Sequence, residues 1–265
     1  MRVLHINSGN LYGGVERVLA TLAGNRHLCP QMEPHFALCF PGRQYDELAH
    51  LGVPLHLLGA VRIRWPWSVW RARRALEGAL LRKPMDLVVS HSAWSQAIFG
   101  PVVRRLGVPL VFWLHSCSTG QHWLERWAGR TKPDLVLCVS RSAQETACHL
   151  FPGVPSEVCY SPVVPVAGIS EGQRASVRKE LSTAANAVVI IQVSRMEELK
   201  GQIVHLQALR LLRDLKDWRV WFVGGVQRGC EKLYQLKLES LRNEAEKGPP
   251  HGLVDALKRL FQLKD

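Results

Sequence analysis

The chain has 265 residues, of which 47% are hydrophobic and 21% charged, with a formal net charge of +12. This composition is typical of a globular protein with one large or two ordinary domains. No apolar run reaches the roughly 18–20 residues of a membrane-spanning helix, and MRVLHINSGN predicts a buried strand and not a signal peptide. Seven cysteines without a CxxC pair argue against a disulfide framework and favour a cytoplasmic location. The positive charge favours anionic partners.

Short apolar runs alternate with helical patterns along the first part of the chain. The runs predict seven strands, at 2–7, 35–40, 54–59, 86–91, 109–115, 134–140 and 157–163. Helices are predicted between them, for example at 15–25, 66–82, 93–106 and 142–150. Val, Ile, Leu and Phe fill the strands with little alternation, as in a parallel sheet that helices cover on both faces. The predicted fold class is α/β, with a doubly wound, Rossmann-like sheet.

A polar, glycine-containing stretch at 164–185 interrupts this rhythm, and we place a domain boundary near residue 165. The two predicted domains are therefore 1–165 and 166–265. In the second, strands are predicted at 187–194 and 218–225, and helices at 202–215, 230–246 and 252–263. Two parallel strands make a poor sheet with exposed edges, so we expect this second Rossmann-like domain to be incomplete.

The stretch HINSGNLYGGVERVLATLA places Gly13 and Gly14 between the first strand and the first helix. In an α/β sheet, ligands bind beyond the carboxyl ends of the strands, and a helix N-terminus favours an anion such as phosphate. The spacing mimics a P-loop, but Val15 and Glu16 stand where Lys and Ser/Thr are required. A tight turn without a ligand, with Glu16 complementing the helix dipole, remains the alternative.

The second domain repeats this arrangement with charged residues. QVSRMEELKG follows a buried strand, so Arg195 and Lys200 fall on a loop at the carboxyl end of that strand. There they could converge on a diphosphate. The alternative is a solvated basic pair beside Glu197 and Glu198. VGGVQRG, which contains Gly225, is another glycine-rich strand end.

The order of several motifs resembles that of family 4 glycosyltransferases. The motifs are GGVERVLATLA, PLVFWLHS, VSRSAQE, VSRMEELKG and WRVWFVGG. These enzymes have two Rossmann-like domains in the GT-B architecture and transfer a sugar from a nucleotide sugar with retention of configuration. The resemblance implies that Gly13 and Gly14 approach the donor phosphates or the acceptor. It also implies that Arg195 and Lys200 hold the donor diphosphate, and we assign Gly225 to substrate binding.

His115 ends the fifth predicted strand and precedes a loop of small polar residues. An imidazole there could bind sugar hydroxyls or support an oxocarbenium-like transition state, and the resemblance places it beside the reaction centre. His91, at the end of the fourth strand, is interpreted as structural or as lining the acceptor site. The sequence has no D-x-D pair, so we expect neither a metal nor another cofactor, and cationic side chains would neutralise the diphosphate.

One departure from the family pattern concerns the end of the sequence. The closing stretch, KGPPHGLVDALKRLFQLKD, does not supply the family's E-x7-E segment, whose carboxylates bind sugar and ribose hydroxyls. The C-terminal helix that normally returns to the first domain is not found either.

The leading hypothesis is a hexosyltransferase-type enzyme that acts on a glycan or glycolipid of the cell envelope. One alternative is a truncated, inactive nucleotide or sugar-phosphate binding module. The other, a dinucleotide oxidoreductase, is weakened because G-x-G-x-x-G is absent.

The basic charge concentrates at 62–83, where RIRWPWSVWRARR holds five arginines and three tryptophans. Arg and Trp together suit a membrane interface, and such a contact would fit a lipid-linked acceptor at the inner face of the cytoplasmic membrane. The interpretation we favour here is that Trp67, Trp70 and the later leucines form the buried stripe of a helix. Nucleic acid fits less well, because no recognised nucleic-acid-binding motif accompanies the charge.

Overall fold

A computed structural model describes residues 1–165, 168–212, 215–227 and 229–247. The chain divides into two compact units, Met1–Pro165 and Val166–Asp265. The predicted helix at 252–263 lies outside the described residues.

The first unit is built on a seven-stranded sheet in which every adjacent pair of strands is parallel. Its strands are β1 (Arg2–Asn7), β2 (Glu33–Leu38), β3 (Leu55–Leu57), β4 (Leu87–Ser90), β5 (Leu110–Leu114), β6 (Leu135–Cys138) and β7 (Ser156–Val158). Their order across the sheet is β3-β2-β1-β4-β5-β6-β7, so the chain winds outward in both directions from β1 and β4. All seven predicted strands are present, although several are shorter than their apolar runs.

Six α-helices connect these strands. They are α1 (Gly14–Gly24), α2 (Arg43–His50), α3 (Pro66–Arg82), α4 (Ala93–Arg105), α5 (Trp123–Gly129) and α6 (Arg141–Leu150). The side chains of Ser92 and Ser140 cap α4 and α6 by accepting hydrogen bonds from backbone N–H groups three residues later. Helices α2 and α5 were not predicted from the sequence, and they have only eight and seven residues. Such short helices carry little periodic signal.

Both faces of the sheet are buried, which explains the lack of alternation in its strands. In β1, Leu4 and Ile6 belong to a core cluster with residues of α3 and α4. Val3 lies in a different cluster, with Val18 of α1 and Trp113 of β5. Successive residues of a strand point to opposite faces, so each face of β1 needs apolar side chains of its own.

The tryptophans of α3 correct the interpretation that placed them in the buried stripe. Trp67 is 79% exposed and Trp70 is 56% exposed. The buried apolar residues of the helix are instead Ala72, Leu76, Ala79 and Leu80, which follow the helical spacing. The indoles lie in the first turns, on the solvent side. No helix among the described residues combines the length and the apolar character needed to cross a bilayer.

The second unit contains α7 (Glu171–Glu180), β8 (Val188–Val193), α8 (Gln202–Arg210), β9 (Trp218–Val223) and α9 (Gly229–Lys247). Strands β8 and β9 are parallel and pair from Val188↔Trp218 to Val193↔Val223. Helix α7 falls in the polar stretch where the sequence analysis predicted no helix. Ser170 and Gln173 form a capping box at its start, a local signal that low hydrophobicity concealed.

Candidate functional site

Polar side chains gather at the carboxyl ends of three neighbouring strands of the first unit. Strands β1, β4 and β5 lie side by side. Asn7 is the last residue of β1, while His91 and His115 directly follow β4 and β5. Because carboxyl ends of parallel strands share one edge of the sheet, these residues form one polar rim.

Three histidines form a hydrogen-bonded line that ends at this rim. The Nδ1 atom of His5 lies 2.9 Å from Nε2 of His91. The Nδ1 atom of His91 lies 3.0 Å from Nε2 of His115. His5 is 4% exposed and His91 is 2% exposed, whereas His115 is only partly buried. This histidine line, His5–His91–His115, therefore runs from the interior to the rim.

Burial keeps the histidine line uncharged at neutral pH. Desolvation lowers the pKa of His5 and of His115 to about 4. The pKa of His91 is lowered well below its usual value by burial, and further by the neighbouring imidazoles of His5 and His115. His115 is therefore a neutral hydrogen-bonding group at pH 7. It does not neutralise a phosphate as a cation would.

Trp113 supports the rings of the histidine line. It lies two residues before His115, so both side chains leave the same side of the chain. Its ring centroid is 5.5 Å from that of His91 and 5.4 Å from that of His115. Trp113 is buried. The indole therefore restricts the orientation of both imidazoles.

The glycine loop after β1 is fastened by a buried carboxylate. Glu16, in the first turn of α1, accepts a hydrogen bond from the backbone N–H of Gly13 at 2.8 Å. Its other oxygen accepts from Nδ2 of Asn7 at 2.9 Å, and the same Asn7 nitrogen donates to Gln44 at 3.0 Å. A negative charge thus already occupies the Gly13 N–H group. The helix N-terminus, where an anion is favoured, therefore already has an anionic partner within the chain.

The space around the paired glycines is open. A Cβ atom built on Gly14 would meet no atom within 4 Å, and one on Gly13 would meet only Oε2 of Glu16, at 3.5 Å. Gly9 differs, because its φ is +84° and a Cβ there would lie 2.9 Å from the carbonyl oxygen of Phe40. The fold of this unit therefore requires a glycine at 9. It leaves room for a ligand beside 13 and 14.

In the second unit, Arg195 lies between two carboxylates. It lies two residues beyond the end of β8, and its Nη2 atom is 2.8 Å from Oε1 of Glu197. Its Nη1 atom is 3.5 Å from Oε1 of Glu231, a side chain of α9 that is 3% exposed. From the sequence, the alternative was a solvated basic pair beside Glu197 and Glu198. In the structure, Arg195 instead belongs to a partly buried ion-pair cluster with Glu197 and Glu231.

Lys200 and Gly225 flank this cluster. Lys200 ends a short 3-10 helix, Glu198–Lys200, and its side chain is exposed. Gly225 follows β9, and its carbonyl oxygen accepts the backbone N–H of Met196 at 3.4 Å. At Gly224, φ is +138° and a Cβ atom would overlap the Ser194 carbonyl, so the close approach of the two strand ends requires this glycine. A Cβ on Gly225 would meet nothing within 4 Å.

Three residues of these sites were not predicted from the sequence. His5 stands inside an apolar strand, and only the adjacency of β1 and β4 brings it to His91. Asn7 holds the carboxylate of Glu16, and it could have been noticed as a polar residue at a strand end. Glu231 is 36 positions from Arg195 in a surface-type helical pattern, and no local signal connects the two.

A family model describes most of the first unit, including His91 and His115 of the histidine line. The model for Glycosyltransferase Family 4 matches residues 12–164, which is more than half of the 265 residues. The chain belongs to Glycosyltransferase Family 4. A search of the curated proteins found no significant match.

Solved structures with the same fold agree with membership of Glycosyltransferase Family 4. One is Anabaena Alr3699/HepE in complex with UDP-glucose, with a TM-score of 0.76 and 18% identity, over 93% of this chain and 66% of that one. A glycosyltransferase from Rickettsia africae gives 0.72 and 16%, over 92% and 65%. Sucrose-phosphate synthase from Thermosynechococcus elongatus gives 0.66 and 13%, over 93% and 68%.

These likenesses concern the fold of the Glycosyltransferase Family 4 chain. They confirm the predicted α/β class with two Rossmann-like units, the GT-B architecture. The chain spans about two thirds of the length of the solved structures that it resembles.

Proposed function

We propose that this chain serves a glycosyltransferase that moves a sugar from a nucleoside diphosphate sugar, with retention of configuration, to a glycan or glycolipid acceptor. The observation that carries the proposal is the polar rim of a family 4 domain. There an uncharged, partly exposed His115 lies on the sheet edge that also carries the open glycine loop. The UDP-glucose complex of Anabaena Alr3699/HepE supports a nucleotide sugar as the donor.

The proposed donor site is the rim of the second unit. Arg195, Lys200 and Gly225 lie at or near the carboxyl ends of β8 and β9, where Rossmann-like sheets bind nucleotides. Each charge-assisted hydrogen bond to phosphate would contribute about 1.5–3 kcal/mol. Lys200 is exposed, so a phosphate in solution can reach its side chain. Both Nη atoms of Arg195 face carboxylates, so Arg195 would bind phosphate by giving up its ion pair with Glu197 or Glu231. The proposed site requires no cofactor and no metal.

The proposed acceptor side is the rim of the first unit. The backbone at Gly13 and Gly14 leaves space for a bulky group, and the carboxylate of Glu16 disfavours an anion there. A sugar ring has hydroxyls that accept and donate hydrogen bonds without bringing charge. His115, held neutral by burial, is suited to bind one of these hydroxyls.

The experiment that tests this function is a calorimetric titration of the purified chain with UDP, GDP, ADP and NAD. Binding of one nucleoside diphosphate with 1:1 stoichiometry, without binding of NAD, supports the donor site. A transfer assay with the sugar form of that nucleotide follows, and the configuration of the product is read by NMR. Binding of NAD alone, or of no nucleotide at all, contradicts the proposal. Diphosphate binding without any transfer would favour an inactive binding module.

A specific observation favours a lipid-linked acceptor. Trp65, Trp67 and Trp70 are each more than half exposed near the start of α3. Guanidinium groups lie over two of these rings, with Arg62 at 5.4 Å from the Trp65 centroid and Arg74 at 5.7 Å from that of Trp70. Exposed indoles beside arginines match the interface of an anionic bilayer. We therefore propose peripheral contact with the inner face of the cytoplasmic membrane through 62–83.

Vesicle co-sedimentation tests this contact. We expect the chain to sediment with vesicles that contain phosphatidylglycerol and to stay in solution with phosphatidylcholine alone. The double change Trp67→Ala and Trp70→Ala should weaken sedimentation. The matched control, Trp123→Ala, removes an indole that is 52% exposed on α5. Equal sedimentation of all three proteins would remove α3 from the membrane contact.

A further inference from the structure

The contacts of the histidine line couple the tautomers of its three rings. A neutral imidazole carries one proton, and in each N···N hydrogen bond one nitrogen donates and the other accepts. His91 uses both nitrogens, with Nε2 facing His5 and Nδ1 facing His115. If its proton is on Nδ1, then His115 must carry its own on Nδ1, and so must His5. If its proton is on Nε2, all three rings are protonated at Nε2.

The buried end of the line decides between these two states. The Nε2 atom of His5 is buried and makes no hydrogen bond within the described part of the chain. The His5 ring stacks on Phe36, with ring centroids 5.4 Å apart. In the Nε2–H state, a buried N–H group would have no acceptor there. Buried donors without a partner are rarer in proteins than buried acceptors without one, so the Nδ1–H state is favoured.

We propose that His5 and His91 are positioning residues that hold His115 in its Nδ1–H tautomer. The rim nitrogen of His115 is then a hydrogen-bond donor. Its ligand is an oxygen with a free lone pair, such as a sugar hydroxyl, and it does not act as a general base while the line is intact. This inference rests on the proposed function for the identity of the ligand. The tautomer itself is a property of the chain alone.

The test is ¹⁵N NMR of the full chain, labelled on histidine, at neutral pH. Long-range correlations distinguish a protonated from a bare ring nitrogen, and sequential backbone assignment connects each ring to its residue in the wild-type chain. We expect His5, His91 and His115 all to be protonated at Nδ1. A wild-type spectrum with His115 protonated at Nε2 overturns the proposal, and this result needs no variant to fold.

A variant tests the coupling. His91→Phe removes both hydrogen bonds of the central ring, so the ¹⁵N shifts of His115 should move to those of an unrestrained tautomer mixture. The matched control is His56→Phe, because His56 faces the buried His35 at 3.3 Å in a separate pair on β2 and β3. It should leave His115 unchanged. Unaltered His115 shifts in His91→Phe would contradict the coupling. Since no nucleotide or sugar is present, failure here is independent of failure in donor binding.

Discussion

The carboxylate of Glu16 closes the N-terminus of α1 over Gly13, with 2.8 Å between Oε2 and the backbone nitrogen. The same carboxylate reaches back to Asn7, the last residue of β1. A loop expected from its glycines to present bare N–H groups is therefore held from within by an acidic side chain. The room for a ligand lies beside the glycines.

We expect Glu16→Ala to lower the free energy of unfolding by about 1–3 kcal/mol, because the buried amide of Asn7 loses an acceptor. Urea denaturation measures this. Glu145→Ala is the control, since Glu145 is exposed on α6, and its effect should stay within about 0.5 kcal/mol. Equal stability of the two variants would show that Glu16 does not fasten the loop.

Gly9→Ala should lower the stability of the chain, whereas Gly14→Ala should lower its transfer activity. Alanine at 9 would be strained at φ +84° and close to Phe40, so we expect a stability loss of about 1–3 kcal/mol. Alanine at 14 meets open space and should leave stability unchanged. It should nevertheless lower the rate of transfer to the acceptor by about tenfold, because the added methyl group occupies space that the ligand needs. Full transfer activity in a stable Gly14→Ala variant would mean that no ligand approaches there.

Lys200→Ala should weaken binding of a nucleoside diphosphate by about 10- to 100-fold without changing stability, because the side chain is exposed. Isothermal calorimetry measures the affinity, and thermal unfolding measures the stability. The control is Lys179→Ala, an exposed lysine on α7, which should bind the nucleotide as the wild type does. Unchanged affinity of the Lys200 variant would remove this residue from the site.

Arg195→Ala is a less clean test than the sequence suggested. From the rim position alone we expect lost diphosphate affinity with a nearly unchanged fold. The ion pairs add a cost, because Glu197 and the buried Glu231 lose their cation. We therefore expect both affinity and stability to fall, and a preserved stability in denaturation would show that the carboxylates do not depend on Arg195.

The histidine line should make the chain sensitive to mild acid. The pKa of His5 is about 4 in the folded chain, against 6.5 for an unperturbed histidine. Between these values the unfolded chain binds a proton that the folded chain does not. Stability is therefore fully present above about pH 6.5 and falls as the pH approaches 4, by up to about 1.4 kcal/mol per pH unit for each such histidine. Urea denaturation between pH 7.5 and 5 measures the slope.

His5→Phe provides the comparison for this pH dependence. Phenylalanine keeps a ring beside Phe36 but cannot take up a proton. The free energy of unfolding of the variant should therefore fall less steeply with acid than that of the wild type. Parallel pH profiles for the two proteins would show that His5 does not contribute.

Much of the first unit was predictable because buried parallel strands are apolar on both sides. The same reasoning placed His115 at a strand end and therefore on the rim. His5 was not predictable, since its role depends on the order of the strands in space. On α3, the size of Trp67 and Trp70 suggested burial, whereas the small Ala72 and Ala79 occupy the buried positions. The partner of Arg195 was hidden because Glu231 comes from a distant helix.

The side-chain exposure of strand β8 affects how fast its backbone amides exchange with solvent. Three of its β-branched residues, Val188, Ile191 and Val193, are each more than half exposed, whereas β1, β4 and β5 are buried almost throughout. Backbone amides exchange with solvent deuterium through the least costly opening available to them. The amides of β8 should therefore exchange early, through local opening. Those of β5 should exchange much later, because their exchange requires the whole first unit to unfold.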